Sequence, residues 1–166
     1  MRLFLYTAFV FFLISPVQAQ ERADAFSVTG YPIPRFVSLS SDKVYMRSGP
    51  GRKYPVLWEY QRKGLPVEVV MEFDVWRKIR DYEGTQGWVH RSLLSGKRTA
   101  IINHEDLVPI KRKPKESARL MAYIQPLALL SLEECDNEWC FIEAQGYSGW
   151  VQRKFLWGVY EGETID

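Results

Sequence analysis

The stretch Val-Tyr-Met-Arg-Ser-Gly-Pro-Gly at residues 44–51 and the stretch Gly-Trp-Val-His-Arg-Ser-Leu-Leu at residues 87–94 frame the region that decides the fold. Between them, the hydrophobicity of residues 66–73 alternates with a period of two, and turns that contain Gly and Pro separate several short apolar runs. This alternation is typical of β-strands, whose successive side chains point to opposite faces. The region therefore predicts a small antiparallel barrel, with Glu68 and Glu72 on its water-exposed face.

Two short motifs in this region resemble those of a known family. Residues 47–51, Arg-Ser-Gly-Pro-Gly, resemble the R-x-G-P opening motif of bacterial SH3 (SH3b) domains, and residues 87–89, Gly-Trp-Val, resemble their closing strand. On these motifs the chain is similar to a group of exported alphaproteobacterial proteins that contain two such domains. The resemblance implies SH3-like barrels that act as binding modules of the cell envelope without catalysis.

The second half of the chain repeats landmarks of the first. Three of them recur in order, at spacings of 64, 63 and 62 residues: residues 46–50 at 110–114, Trp76 and Ile79 at Trp139 and Ile142, and residues 87–89 at 149–151. Spacings that drift by so little indicate an internal duplication. The second copy lacks the glycines of the opening motif, so we expect it not to share whatever the Gly-rich loop does in the first.

The duplication predicts an all-β chain of two tandem SH3-like barrels, at residues 35–102 and 107–166, with a short linker at residues 103–106. A linker of this length holds the barrels close together. The apolar run Thr-Ala-Ile-Ile at residues 99–102 is the expected closing strand of the first barrel.

Three further segments have distinct characters. Residues 20–34 are polar, contain Gly and Pro and show no sustained period, which predicts a flexible lead-in. Alternation in residues 36–39 predicts a short strand laid against the first barrel. The strongly aromatic residues 155–160 either complete the second barrel or cover a seam between the two barrels.

The first nineteen residues have the layout of a secretory signal peptide. Arg2 precedes an apolar run at residues 3–14, and Val17 and Ala19 suit cleavage after Ala19. The apolar run is shorter than the ~20 residues that cross a bilayer. An uncleaved anchor is the alternative, whereas a lipoprotein would need a cysteine near the cleavage site. We expect a periplasmic or secreted protein without a stable membrane span.

Charge and composition argue against a nucleic-acid partner. The formal net charge of +2 falls to +1 on removal of the leader, whose single charged side chain is Arg2. Nucleic-acid binding normally requires a basic stripe, and the two short cationic runs, at residues 97–98 and 111–113, are typical of solvated turns.

The two cysteines of the chain, Cys135 and Cys140, are separated by four residues. In an exported protein such a pair predicts a disulfide across a hairpin turn. Thiol redox chemistry and a metal site are the alternatives. A metal would need further ligands, and His90 and His104 lie far away in sequence, so we expect no metal and no cofactor.

Trp76 is the centre of the candidate binding surface. It lies three residues from Ile79, so the two side chains point to opposite faces of one strand, and Ile79 suits the core. An outward Trp is either a platform for a ligand or packs against a neighbouring loop or barrel. The candidate ligand-binding residues are the aromatic and cationic side chains Tyr45, Arg47, Tyr54, Trp58, Trp76, Lys78 and Arg80.

No motif of the sequence predicts catalysis. The sequence contains neither a nucleophile elbow nor a glycine-rich phosphate loop that precedes a helix. Two barrels also leave no room in this chain for a separate catalytic domain. We therefore expect a non-enzymatic module that binds peptidoglycan, through its glycan or stem peptide, or another envelope component. The alternative is a periplasmic protein-interaction or assembly factor, and an inhibitor of an envelope enzyme belongs to the same alternative.

Overall fold

Two separate antiparallel sheets, each of seven strands, make up the fold of residues 27–136 and 138–165, which the computed structural model describes. The predicted leader at residues 1–19 lies outside the described residues. Within the described ranges, no helix is long and apolar enough to cross a membrane.

The first sheet contains the strands of the first barrel and has the spatial order β3-β2-β6-β5-β4-β1-β7. Its strands are β1 (Arg35–Leu39), β2 (Val44–Arg47), β3 (Val56–Tyr60), β4 (Pro66–Phe73), β5 (Trp76–Arg80), β6 (Gln86–His90) and β7 (Leu94–Ser95). A 3-10 turn, η1 (Arg91–Leu93), connects the last two strands.

The second sheet has the spatial order β10-β9-β13-β12-β11-β8-β14, which matches the first strand for strand. Its strands are β8 (Thr99–Ile102), β9 (Val108–Lys111), β10 (Leu120–Ile124), β11 (Leu129–Cys135), β12 (Trp139–Ala144), β13 (Tyr147–Gln152) and β14 (Leu156–Trp157). A second 3-10 turn, η2 (Arg153–Phe155), again precedes the last strand. Two all-β domains of the same strand order in tandem are thereby confirmed.

The strand at Thr99–Ile102 belongs to the second sheet, which corrects the expectation that it closes the first barrel. It pairs with β11 and β14, and it occupies the place that β1 has in the first sheet. All four of its residues are buried, with Ile101 in the first core and Ala100 and Ile102 in the second. Because the strand is apolar on both faces, its composition did not show which sheet it joins.

The glycine of each Gly-Trp-Val motif marks a close crossing of two strands. A Cβ on Gly87 would lie 2.5 Å from Met46 Cγ and 2.8 Å from the carbonyl oxygen of Arg47. A Cβ on Gly149 would likewise lie 2.6 Å from Ile110 Cγ2 and 2.8 Å from the carbonyl oxygen of Lys111. The motif therefore preserves the space in which β6 crosses β2, and β13 crosses β9.

Glu68 and Glu72 are buried, at 3% and 4% exposure, so the expectation that they face water is wrong. A register shift between Val69 and Met71 marks a β-bulge in β4, which reverses the alternation beyond it. Glu68 then lies opposite Arg80, and Glu72 opposite the buried Arg77. The bulge places the two carboxylates on opposite faces of the sheet. Glu68 there pairs with Arg80, and Glu72 pairs with Arg35 and Arg77.

The C-terminal aromatic segment both completes the second sheet and covers the seam between the barrels. β14 pairs with β8, while Trp157 packs against the first core. The Trp157 and Tyr160 rings lie 4.9 Å and 4.6 Å from the Phe36 ring, between centroids. Across the same seam, Thr99 Oγ1 donates a hydrogen bond of 2.7 Å to the carbonyl oxygen of Gly64. The two barrels are thus packed together rather than merely tethered.

Candidate functional site

Trp76 lies at the start of β5, directly opposite His90 of β6. The two rings meet edge to face, with centroids 5.5 Å apart and planes at 90°. The Trp76 side chain is half-buried, while Ile79 is fully buried in the core, as the sequence predicted. His90 thus supports the edge of the indole and leaves part of it accessible.

A shallow cleft of about 220 Å³, which we call the aromatic cleft, opens beside Trp76. Strands β2, β5 and β6 lie side by side here because β6 pairs with both of the others. The cleft is lined by Tyr45, Arg47, Arg52, Trp76, His90, Ser92 and Leu93. It combines three rings with two guanidinium groups and contains no acidic side chain.

Arg47, the first residue of the Arg-Ser-Gly-Pro-Gly motif, lines the aromatic cleft. Arg47 Nη1 donates hydrogen bonds to the carbonyl oxygens of Arg52, at 3.1 Å, and Tyr54, at 2.9 Å. Gly49 lies under the Tyr54 ring, where a Cβ would come within 2.5 Å of the ring carbons. The motif therefore fixes the shape of the loop, and Tyr54 acts as a structural ring rather than as a residue of the cleft.

The two cations of β5 differ in their environments. Lys78 lies opposite Trp88 of β6, on the same face of the sheet as Trp76. Arg80 Nε donates a hydrogen bond of 2.7 Å to the buried carboxylate of Glu68. The guanidinium of Arg80 is thus paired with Glu68, although 47% of the side chain remains exposed.

Trp58 lies apart from the other candidates. It is opposite Met46 on the edge strand β3 and is 53% exposed. It lines a different cleft, of about 200 Å³, together with Tyr82 and Leu127.

The structure therefore divides the seven candidates into groups. Tyr45, Arg47 and Trp76 meet in the aromatic cleft, and Lys78 follows on the same face. Tyr54, Trp58 and Arg80 lie elsewhere. His90 and Arg52 complete the cleft and were missed, although the alternation of Gly-Trp-Val-His places His90 on the face of Trp88 and could have indicated it.

The equivalent face of the second barrel is built differently. Trp139, the counterpart of Trp76, is only 6% exposed, and Gln152 stands where the first barrel has His90. Gln152 Nε2 donates a hydrogen bond of 2.6 Å to Glu116. The position equivalent to Trp76 therefore offers no accessible indole in the second barrel.

Glu72 anchors the N-terminal segment to the first barrel. Its carboxylate accepts hydrogen bonds from the backbone N–H groups of Val28, at 2.7 Å, and Thr29, at 2.8 Å, and from Arg35 Nη2 at 2.6 Å. Burial alone would raise the pKa of Glu72, but the hydrogen bonds from Arg35, Thr29 and Val28 lower it to about 2. The described part of the expected lead-in, residues 27–34, is thus held against the barrel.

A disulfide joins Cys135 and Cys140, as the sequence predicted. The two residues lie directly opposite each other on β11 and β12, and both are buried. The backbone N–H and carbonyl oxygen of Cys135 pair with those of Ile165, so the C-terminal segment covers this hairpin. This buried and covered position favours a structural role for the disulfide.

No curated protein matches the sequence. Among solved structures, NlpC2 from Trichomonas vaginalis is 13% identical with a TM-score of 0.34, and the match covers 77% of this chain and 49% of that one. NlpC1 from Trichomonas vaginalis is 12% identical with a TM-score of 0.35, covering 80% and 49%. The chain thus spans about half the length of each, and likenesses at this level carry no functional information.

A family model gives the decisive match. The model of the bacterial SH3 domain matches the chain twice, at residues 40–96 and at residues 104–158. Each match covers the strands β2 to β7 of the first sheet or β9 to β14 of the second. The chain therefore belongs to the bacterial SH3 domain family and contains two copies of that domain.

Proposed function

We propose that this chain is an exported, non-catalytic binding module whose first barrel recognises peptidoglycan or another component of the cell envelope. The observation that carries the proposal is the aromatic cleft, in which the accessible indole of Trp76 lies beside guanidinium groups. Membership of the bacterial SH3 family supports a binding role, because such domains are typical of periplasmic or extracellular proteins that bind cell walls. The predicted leader supports export.

The chemistry of the aromatic cleft suits a saccharide that carries carboxylates. Flat aromatic faces such as that of Trp76 stack on apolar faces of sugar rings at small entropic cost. Arg52 is exposed, and its side chain makes no hydrogen bond to another described residue, so it is available to a carboxylate. Lys78 supplies a further cation on the same face. A glycan strand with acidic stem peptides offers both groups together.

Cosedimentation with purified sacculi tests the proposal. The purified protein should pellet with sacculi, and Trp76→Ala should weaken that binding about tenfold, the size expected for one lost stacking contact with its buried area. Trp58→Ala is the matched control, because Trp58 is exposed but lies in a different cleft. Wild-type protein that remains in the supernatant, or equal losses for both variants, would contradict the proposal.

The second candidate is a protein-interaction factor, which the two outer strands favour. The edge strands β3 and β10 stand at equivalent ends of the two sheets and expose large apolar side chains: Val56, Leu57, Trp58, Leu120, Met121 and Tyr123. Edge strands with apolar surface readily pair with another polypeptide. A partner protein, an envelope enzyme under inhibition, or a second copy of the chain would fit such edges.

Light scattering after size-exclusion chromatography separates the two candidates. A monomer that pellets with sacculi supports the cell-wall proposal. A stable oligomer that ignores sacculi, and that Leu57→Glu or Met121→Glu converts to a monomer, supports the interaction factor.

A further inference from the structure

A second cleft, which we call the arginine cleft, lies on the other side of the Trp76 strand end. It is bounded by the N-terminal segment, β1, the start of β5 and η1, and has a volume of about 460 Å³. This volume is within the range of small-molecule sites. Three of its lining residues are arginines, Arg35, Arg77 and Arg91, and none is acidic.

Arg77 is held rigidly at the base of the arginine cleft. Its residue is 3% exposed, its Nε lies 3.1 Å from a carboxylate oxygen of Glu72, and its Nη1 donates to the carbonyl oxygens of Asp74 and Trp76, at 2.8 Å and 2.9 Å. Its Nη2 makes no hydrogen bond to the described residues. A guanidinium fixed on one side with a free Nη2 is prepared for an external acceptor.

The positive charge around Arg77 exceeds the nearby negative charge. The single negative charge of Glu72 is shared by two cations, because both Arg77 and Arg35 Nη2, at 2.6 Å, contact its carboxylate. Burial, with the charges of Arg35 and Arg91, lowers the pKa of Arg77, while Glu72 and Asp74 act in the opposite direction. A bound anion would relieve this repulsion between cations.

Arg91 is the adjustable member of the three. It begins η1, and its backbone N–H donates a hydrogen bond of 2.9 Å to the carbonyl oxygen of Val75, which fixes its position. The side chain is exposed and makes no ion pair or hydrogen bond within residues 27–136 and 138–165. It can therefore close over an anion held by Arg77.

The remaining wall of the arginine cleft is apolar. Val37 and Leu94 line it, and Thr29 and Ser95 add hydroxyl groups. An inorganic anion would leave the apolar wall unused. A carboxylate attached to a small aliphatic group would use both sides, because such pockets combine apolar contact with a few placed polar groups.

We propose that the arginine cleft binds the free C-terminal carboxylate of a short peptide that ends in a small aliphatic residue. Arg77 and Arg91 bind the carboxylate, and Val37 and Leu94 contact the terminal side chain. The shared chemistry has two sources, the stem peptide of a cell wall, which ends in D-alanine, and the C-terminus of a protein. Only the choice of the stem peptide rests on the proposed function.

Isothermal titration of the purified protein tests the proposal with four probes: D-alanyl-D-alanine, its C-terminal amide, L-alanyl-L-alanine and inorganic phosphate. One dipeptide should bind saturably, and the amide should bind about tenfold more weakly, as expected for loss of a charge-assisted contact. Preference for the D-dipeptide identifies a stem peptide, and preference for the L-dipeptide a protein C-terminus.

Variants locate the binding. Arg91→Gln should weaken dipeptide binding about tenfold, and Arg91→Lys should weaken it less because the charge remains. Arg119→Gln is the matched control, since Arg119 is an exposed arginine of the second barrel that lies outside the cleft. Both residues are exposed, so these variants should fold normally.

Four outcomes would overturn the proposal: no saturable binding of either dipeptide, equal binding of acid and amide, equal binding of phosphate and dipeptide, or equal effects of Arg91→Gln and Arg119→Gln. Failure of the proposed function is visible separately. A protein that binds the dipeptide through Arg91 but does not pellet with sacculi would refute cell-wall recognition by the aromatic cleft and leave the arginine cleft intact.

Discussion

Tyr160, which follows the last strand of the second barrel, donates a hydrogen bond of 2.8 Å from its hydroxyl to the buried carboxylate of Glu68 in the first barrel. The same carboxylate accepts the hydrogen bond from Arg80. A tyrosine, a glutamate and an arginine thus form one polar network across the seam between the two copies.

Removing the hydroxyl of this network should weaken the seam. Tyr160→Phe should lower the free energy of unfolding by about 2 kcal/mol at neutral pH, because one hydrogen bond to a charged acceptor is lost while Arg80 still pairs with Glu68. Urea denaturation measures the change. Tyr123→Phe, on an exposed tyrosine, should have no effect.

The same network predicts a response to alkaline pH. Burial, followed by the hydrogen bond to Glu68, raises the pKa of Tyr160 above its ordinary value of 10.0. A group whose pKa is raised in the folded state stabilises that state below the ordinary pKa, and this contribution disappears as pH rises through the folded pKa. The advantage of the wild type over Tyr160→Phe should therefore persist at pH 9 and shrink as the pH rises above about 10. An advantage that already disappears at pH 9 would contradict this assignment.

Glu72→Gln should release the N-terminal segment and destabilise the first barrel. The pKa of Glu72 falls from 4.5 to about 2 on folding, which corresponds to about 3 kcal/mol of stability at neutral pH. A lowered pKa stabilises the folded state above the ordinary value, so this contribution is lost as pH falls from about 4.5 towards 2. The variant also leaves the buried Arg77 without its carboxylate.

Urea denaturation at pH 7 and pH 3 checks the prediction for Glu72. The gap between wild type and Glu72→Gln should be large at pH 7 and much smaller at pH 3. Glu105→Gln, on an exposed glutamate, is the control and should show no gap at either pH. A gap independent of pH would mean that the carboxylate charge is not what stabilises the segment.

The two motif glycines should tolerate no side chain. Gly87→Ala and Gly149→Ala each place a methyl group within 3 Å of a neighbouring strand, so each should cost about 1–3 kcal/mol of unfolding free energy. Gly96→Ala is the control, because a Cβ there meets nothing within 4 Å. Thermal denaturation followed by circular dichroism ranks the three variants, and an undisturbed Gly87→Ala would refute the close crossing of β6 and β2.

The strand pattern was predictable because it depends on local chemistry. Alternation, turn residues and the repeated Gly-Trp-Val motif are all patterns of neighbouring residues, and together they predict two barrels in tandem. The outward Trp76 and the Cys135–Cys140 bridge followed from the same kind of local spacing.

The errors arose where distant segments decide the outcome. Glu68 looks like an exposed residue until Tyr160, 92 residues away, covers it, and Glu72 depends on a bulge that alternation does not reveal. The strand at Thr99–Ile102 is apolar on both faces, so local pattern fits either sheet. Tyr54, Trp58 and Arg80 lie outside the aromatic cleft for separate reasons. Tyr54 packs on Gly49, Trp58 lies on an edge strand, and Arg80 pairs with Glu68.

Trp157 should couple the unfolding of the two barrels. It extends β14 of the second sheet while packing against the first core and Phe36, so Trp157→Ala should remove about 3 kcal/mol from the free energy of unfolding. The wild type should unfold in one transition, with fluorescence and circular dichroism coinciding. Trp58→Ala should cost less than about 1 kcal/mol, since Trp58 is 53% exposed. Two separate transitions in the wild type would show that the barrels are independent.

The burial of Trp139 predicts a single binding site of the Trp76 kind in each molecule. Duplication usually multiplies contacts, so that two linked modules hold a polymer with greater avidity than one. Because Trp139 is buried, we expect the second copy to stabilise the first rather than to add a second binding site of this kind. Retention on a wall would then grow with the number of protein molecules present, not with the number of repeats in each.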